Sequence, residues 1–227
     1  DFKKYLHPDD LAAGYGSNTA DQDEARVTAA FRQFFDDFID WWSISNHRIG
    51  KLVFPPVSLA INDEIQSEHF ADVLWSMGWS HSDNRVDIDW GGMILVLKNW
   101  VARASERNSG AWSALGITGP VPKAVFRWEQ DSYVAHSPRC TGNLTIFGER
   151  SIATDPIGVK LVACNAILWR GLTVKFLLNT GVMMESVFNS TFDDMDIQSV
   201  GFNLTEFGGD GLIPAAARFS NVGPVVT

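Results

Sequence analysis

The sequence predicts a mostly β chain, a parallel solenoid covered at its N-terminal end by one long α-helix. Three observations predict it. A near-repeat about 23 residues long begins at Gly158-Val159 and again at Gly181-Val182. Laying one copy on the other places Leu161 on Met184, Leu172 on Met195 and Val174 on Ile197, so similar residues recur at one offset. Short segments of alternating polarity, punctuated by glycine, surround the repeat, and a Phe-rich helical stripe precedes them. A repeat of this length buries its apolar face only by stacking on its neighbours.

Residues 1–18 read as an irregular lead-in, with a turn at His7-Pro8-Asp9-Asp10 and a loop at Gly14-Tyr15-Gly16-Ser17-Asn18. A capping segment over 19–45 follows, its helix predicted at about 21–42. Asp21 with Glu24, or Thr19 with Gln22, makes a capping box at its start. Val27, Phe31, Phe34, Phe35, Phe38, Ile39 and Trp42 recur mostly at spacings of three and four, which marks a packing face. The first coil of a solenoid exposes unpaired backbone, and this face is suited to cover it.

Residues 46–227 are expected to form the first coils. Strands are predicted at 51–56, stopped by Pro55-Pro56, and at 58–61 and 86–88. The continuous apolar run 93–97 reads as a strand buried on both sides. Residues 70–77 suit a short helix, and 101–122 an insertion or long loop. Strands resume at 124–128, 143–147, 159–162, 172–176, 182–184 and 195–197, with another at 219–226. No comparable cap follows residue 200, so the coils are expected to continue past Thr227 or to meet a partner. Asp1 stands where a Met would open a complete chain, which reads as a fragment or processed product.

A chain of 227 residues fits one large domain, or one domain with a small appendage. Nine Trp and 15 Phe against three Tyr suit a thick dry core, with surface sugar platforms as the competing use of some rings. The net charge of −9 argues against nucleic acid and anionic membranes, which need clustered Lys and Arg. No run of 18 apolar residues exists, so membrane insertion is not expected. Cys140 and Cys164 lie close to one repeat apart and are expected on neighbouring turns as buried thiols. No metal site or cofactor is implied.

The order of the segments carries a resemblance. Gly14-Tyr15-Gly16 through Ala25 is followed by a helix with Ala29-Ala30, then by Leu52-Val53-Phe54-Pro55-Pro56. Ile88-Asp89-Trp90-Gly91-Gly92, Leu144-Thr145-Ile146-Phe147-Gly148 and the two Gly-Val pairs come after. Over roughly residues 14–205 this order resembles the start of the pectate-lyase-like right-handed parallel β-helix, in the form found in bacteriophage tailspikes and capsular depolymerases. Two departures stand out. Asp21-Gln22-Asp23-Glu24 replaces the family's Asp-Asp-Thr, and Pro56-Val57 stands where Pro-x-Gly is common. The resemblance implies a tailspike or tail-fibre component of the virion, acting as a homotrimer beside other tail proteins and contacting host surface polysaccharide. Whether it degrades that polysaccharide is left open. A secreted polysaccharide lyase or glycoside hydrolase and a purely structural virion solenoid are the alternatives.

Glycoside hydrolysis needs two carboxyl groups roughly 5–9.5 Å apart, one acting as acid and one as base or nucleophile. Asp193, Asp194 and Asp196 form the best local cluster. On a straight strand Asp194 and Asp196 share the outward face while Met195 and Ile197 point inward. Asp194 and Asp196 are therefore the catalytic candidates, with Glu185 one coil-face away; solvated acidic surface is the competing reading. Lyase chemistry would draw on Arg170 and Lys175, but no Asp-rich calcium loop accompanies them. Trp169 aligns with Phe192 across the repeat. Exposed, the two rings would be a carbohydrate-binding platform; buried, a packing ladder. His7, His47, His69, His81 and His136 are isolated and read as surface or core residues. Asn143-Leu144-Thr145, Asn189-Ser190-Thr191 and Asn203-Leu204-Thr205 match the glycosylation sequon, a triplet common by chance.

Overall fold

Strands paired in parallel dominate the computed structural model. It describes residues 1–45, 49–66, 70–74, 85–101, 104–105, 121–130, 138–148, 156–177, 180–198, 215–220 and 225–226. One sheet runs β1 (Ile49–Val53), β3 (Arg85–Asp89), β8 (Arg139–Thr141), β11 (Leu168–Lys175), β9 (Leu144–Gly148), β4 (Ile94–Leu97) and β2 (Ser58–Ile61). β13 (Ser190–Gln198) adds to β11, and β15 (Val225–Val226) adds to β13. A second sheet runs β14 (Ala215–Ser220), β12 (Thr180–Glu185), β10 (Ile157–Val162) and β7 (Ala124–Glu129). From β7 onward the chain visits the two sheets in turn. A small antiparallel pair, β5 (Ala104–Ser105) with β6 (Val121–Pro122), is the described part of the predicted insertion.

The register follows the sequence repeat. Leu161 pairs with Met184, Leu172 with Met195, and Val174 with Ile197, so the 23-residue offset relates one strand pair in each sheet, while other pairs take longer offsets, as Ile157 does on Ala124. Parallel pairing at a constant offset sets like side chain on like, and the apolar set stays on one face of each strand. The glycine that opens the first copy has a steric cause. A Cβ on Gly158 would lie 2.5 Å from the Gly181 carbonyl oxygen of the next strand.

β11 pairs with β8 through Leu168 and Trp169, and with β9 from Leu172 onward. Between these stretches the chain turns at Gly171, whose φ is +78°. The neighbouring strand turns at the matching position, Asp194, with φ +58°. Gly and Asp are among the residues that tolerate this left-handed conformation.

The N-terminal helix is present as α2 (Glu24–Ser45), and its whole predicted stripe is buried. Phe31, Phe34 and Phe35 meet Phe54 at ring-centroid distances of 5.8, 5.3 and 6.0 Å. Phe54 stacks on Trp90 at 4.8 Å, and Trp90 on Trp169 at 6.4 Å, so a column of rings joins the helix to the strands. α3 (Phe70–Leu74) closes the same core through Phe35–Phe70; residues 75–77 of the predicted helix lie outside the described residues. Among the described residues, no helix is long and apolar enough to cross a membrane. Cys140 and Cys164 are free and buried, and burial pushes the Cys140 thiol up.

Three expectations need correction. Residues 1–18 are not irregular: they hold a 3-10 turn at Phe2–Lys4 and the helix α1 (Pro8–Tyr15). His7 caps α1 by accepting from the Asp9 N–H, and Pro8 fits the first turn because its missing donor is not needed there. The cap of α2 is neither Asp21 nor Thr19 but Asp23, which accepts from the Arg26 N–H at 3.0 Å. Gln22 is engaged elsewhere. Its amide donates to the Asp10 and Ser58 carbonyls at 2.9 Å and accepts from the Ala60 N–H. Lastly, β4 is buried on one face only, because Ile94 is 36% exposed while Leu95 and Leu97 are buried.

Asp10 ties α1 to the start of α2. It is fully buried and accepts from Asp23 N–H at 3.2 Å and from Arg26 Nε and Nη2 at 2.7 and 2.9 Å. Burial works to raise this carboxyl, but the Arg26 guanidinium and the Asp23 N–H overcome it and hold it below its ordinary value. A carboxyl depressed in the folded state contributes stability above its unfolded value of about 3.9, and that contribution is lost as pH falls through the folded value. Asp10→Asn is expected to cost roughly 1–3 kcal/mol near neutral pH. The difference from the parent should shrink once the medium is acid enough to protonate Asp10, as read by urea unfolding across that range.

Candidate functional site

The outward face of β11 and β13 gathers the acidic and basic residues that the sequence singled out. Arg170 Nε lies 3.8 Å from Asp193 Oδ2, and Lys175 Nζ lies 3.4 Å from Asp196 Oδ2. Gln198 donates to both Asp196 oxygens, at 2.7 and 2.8 Å. Met195 and Ile197 pack against the core, as alternation requires. Asp194 stands at the bend, exposed, with no hydrogen bond or ion pair among the described residues. The straight-strand argument for Asp194 and Asp196 therefore changes. The turn at Asp194 interrupts the two-residue alternation, so Asp193 and Asp196 face outward on either side of it. The candidates for hydrolysis and those for lyase chemistry thus share one solvent-facing strip.

Glu185 belongs to the other sheet. It ends β12, in register with Val162 of β10, and its charge acts on Lys160. Trp169 and Phe192 are in register, and both are buried, at 0% and 1% exposure. That overturns their use as a sugar platform. Both rings sit before the bend on the inward face, where Trp169 also meets Phe126 edge-on at 5.6 Å. His7 is the cap of α1, while His47, His69, His81 and His136 lie outside the described residues, as does Asn203. Among the described residues no three His, Cys, Asp or Glu side chains gather as a metal site.

A second cluster escaped the sequence reading. Arg127 and Glu129 of β7 and Lys160 of β10 are 3%, 3% and 0% exposed. Lys160 Nζ lies 2.9 Å from Glu129 Oε2, and Arg127 Nη1 lies 3.6 Å from the same oxygen. Arg127 also donates to Glu64, whose carboxylate accepts from the Ala124 N–H at 2.9 Å. Gln66 bonds the backbone of Arg127 on both sides, and Ile65 N–H donates to the Val125 carbonyl at 3.1 Å, so residues 64–66 line the edge of β7. Asp63 completes the margin by bridging Arg32 and Lys123 at 2.9 and 2.7 Å. Burial pushes the Lys160 ammonium down, and the Glu129 carboxylate offsets only part of that. With no exposed side-chain surface, Lys160 cannot reach a substrate, and the cluster is internal. The signal for it was a charge flanked by core residues, in Phe126-Arg127-Trp128 and Val159-Lys160-Leu161. The repeat hid it, because the counterpart of Lys160 in the second copy is Met183.

The chain matches no known protein family, no curated protein and no solved structure.

Removing one member of a buried, paired cluster leaves an uncompensated charge, whereas removing both members need not. Lys160→Met is expected to destabilise the protein by about 3–5 kcal/mol. The double variant Lys160→Met with Glu129→Gln is expected to lose less than that single change. Midpoints of guanidinium unfolding give the comparison, and an undiminished Lys160→Met protein would mean that the pair contributes little.

Proposed function

We propose that the chain forms the opening coils of a right-handed parallel β-helix of the pectate-lyase-like tailspike type. On this reading it is part of a phage tailspike or tail fibre that contacts host surface polysaccharide as a homotrimer among other tail proteins. The observation that carries the reading is the 23-residue offset that relates β10 to β12 in one sheet and β11 to β13 in the other. A chain that alternates between sheets at one offset advances as a coil. The helix α2 and the side chain of Gln22 lie where such a coil needs its first strand covered. The acidic balance of the chain suits a soluble, particle-borne or secreted protein.

The strip on β11 and β13 favours a second reading, cleavage of that polysaccharide. Asp194 and Asp196 are the proposed carboxyl pair. Asp196 faces Lys175 and accepts from Gln198, an arrangement that suits a base or nucleophile, and Asp194 is open to a leaving-group oxygen. Glu185, set on the other sheet in register with Val162, has the weaker claim.

Light scattering on the purified protein is expected to give a trimer; a monomer would overturn the appendage reading. Incubation with host capsule separates the enzyme from the structural solenoid, since hydrolysis releases reducing ends and a lyase releases unsaturated sugars. If the carboxyl pair acts, Asp194→Asn and Asp196→Asn should each lower the release by roughly 100-fold or more with the circular dichroism unchanged. Unchanged release would remove the pair from the mechanism.

A further inference from the structure

The buried cluster on β7 and β10 sets an amine against a carboxyl group in a dry interior. Lys160 Nζ donates to Glu129 Oε2 at 2.9 Å, and the two side chains are 0% and 3% exposed. The carboxyl carbon of Glu129 is one covalent bond beyond that oxygen, so nucleophile and electrophile already face each other. A second acid flanks the same lysine. Val162 pairs with Glu129 of β7 on one side and with Glu185 of β12 on the other. Lys160 lies two residues before Val162 and shares its face, so it stands between the two carboxylates. Glu185 Oε2 is buried and has no hydrogen-bond partner among the described residues. Arg127 Nη1 lies 3.6 Å from the Glu129 oxygen that Lys160 also meets.

We infer that Lys160 and Glu129 condense into an intramolecular isopeptide bond that ties β7 to β10. The ion pair in the structure is the precursor. Lys160 Nζ attacks Glu129 Cδ, the Nζ–Cδ bond forms, and one Cδ–Oε bond breaks. The departing oxygen takes two protons of the ammonium and leaves as water, while the third proton stays on the amide nitrogen. No oxidant or cofactor enters the balance. Each neighbour has a part. Burial pushes the Lys160 ammonium down, which favours the neutral amine that attack requires. The Arg127 guanidinium faces the carboxylate that gains negative charge during attack. Glu185, with its open oxygen, relays protons from Nζ to the departing oxygen. A fixed pair shielded from water reacts as though highly concentrated. The product amide also replaces two buried ions, which removes the cost of keeping both dry. The bond closes a loop across 31 positions and so restricts the unfolded chain. It is independent of any polysaccharide.

The test is intact-mass spectrometry of the whole chain, purified folded and then denatured. The parent is expected to weigh one water less than its sequence, and Lys160→Arg its full sequence mass. The first readout is made on the parent, so it holds even where Lys160→Arg fails to fold. Proteolysis with tandem spectrometry should then find the peptide holding Lys160 joined to the one holding Glu129. Cell-free synthesis followed over time gives the rate of water loss. Glu185→Gln should slow that rate roughly 100-fold with the circular dichroism unchanged. Full mass in the parent after prolonged incubation in the folded state would overturn the bond. So would a loss of water that maps elsewhere, to an aspartyl succinimide or to a link between Lys160 and Glu185. An unslowed Glu185→Gln protein would overturn the relay assigned to Glu185.

Discussion

Where parallel strands pair at the repeat offset, as β10 does with β12 and β11 with β13, each side chain must accept its own counterpart as a neighbour. Val159 lies beside Val182, Leu161 beside Met184 and Leu172 beside Met195, and the rest of the chain accommodates those contacts. The inward positions also carry an aromatic column from Phe54 through Trp90 to Trp169. Residues that turn the chain must turn it in adjacent strands together, as Gly171 and Asp194 do. Glycine stands at 158 because the Gly181 carbonyl of the next strand approaches it there. Length variation is pushed into the connections, which can lengthen at modest entropic expense without disturbing the pairing.

Pairing of this kind creates a difficulty at a sheet edge. β2 is the end of its sheet path and presents polar backbone with no further strand to satisfy it. Gln22 answers with an amide, the side-chain group that mimics a peptide: it donates to Ser58 and accepts from Ala60. Thr28 accepts from the Asn62 N–H one step further on, at 3.1 Å. The apolar stripe of α2 then closes the space beneath. A similar device recurs at the edge of β7, where Glu64 and Gln66 take the backbone of Ala124 and Arg127. Polar side chains of neighbouring segments complete both margins.

Much of this was legible in the residues, and the divisions have physical causes. Alternation and glycine punctuation placed β2, β3, β7, β10 and β12 within a residue or two, because a one-sided core enforces a two-residue period. The repeat alone implied the pairing of β10 with β12 and of β11 with β13. α1 was missed because Pro8 reads equally as a turn and as a helix start. The α2 cap was misplaced because Gln22 serves a strand 36 positions away, which no local pattern reveals. Of the candidate site, the outward aspartates were legible and the inward turn of Trp169 and Phe192 was left open. The ion pairs from Arg170 and Lys175 were not foreseen, since they depend on which residue of β13 lies beside each residue of β11.

Lys160 has a meaning that only the repetition brings out. Strands this alike can exchange places: β12 laid directly on β7 would still find apolar partners for Val182 and Met184. Such a slipped fold would seat Met183 where Lys160 belongs, leaving Glu129 to Arg127 alone in a dry interior. The apolar contacts scarcely distinguish the two arrangements; the buried charge does. One lysine thus acts as a unique address in a chain of near-synonyms, telling each strand which floor it occupies.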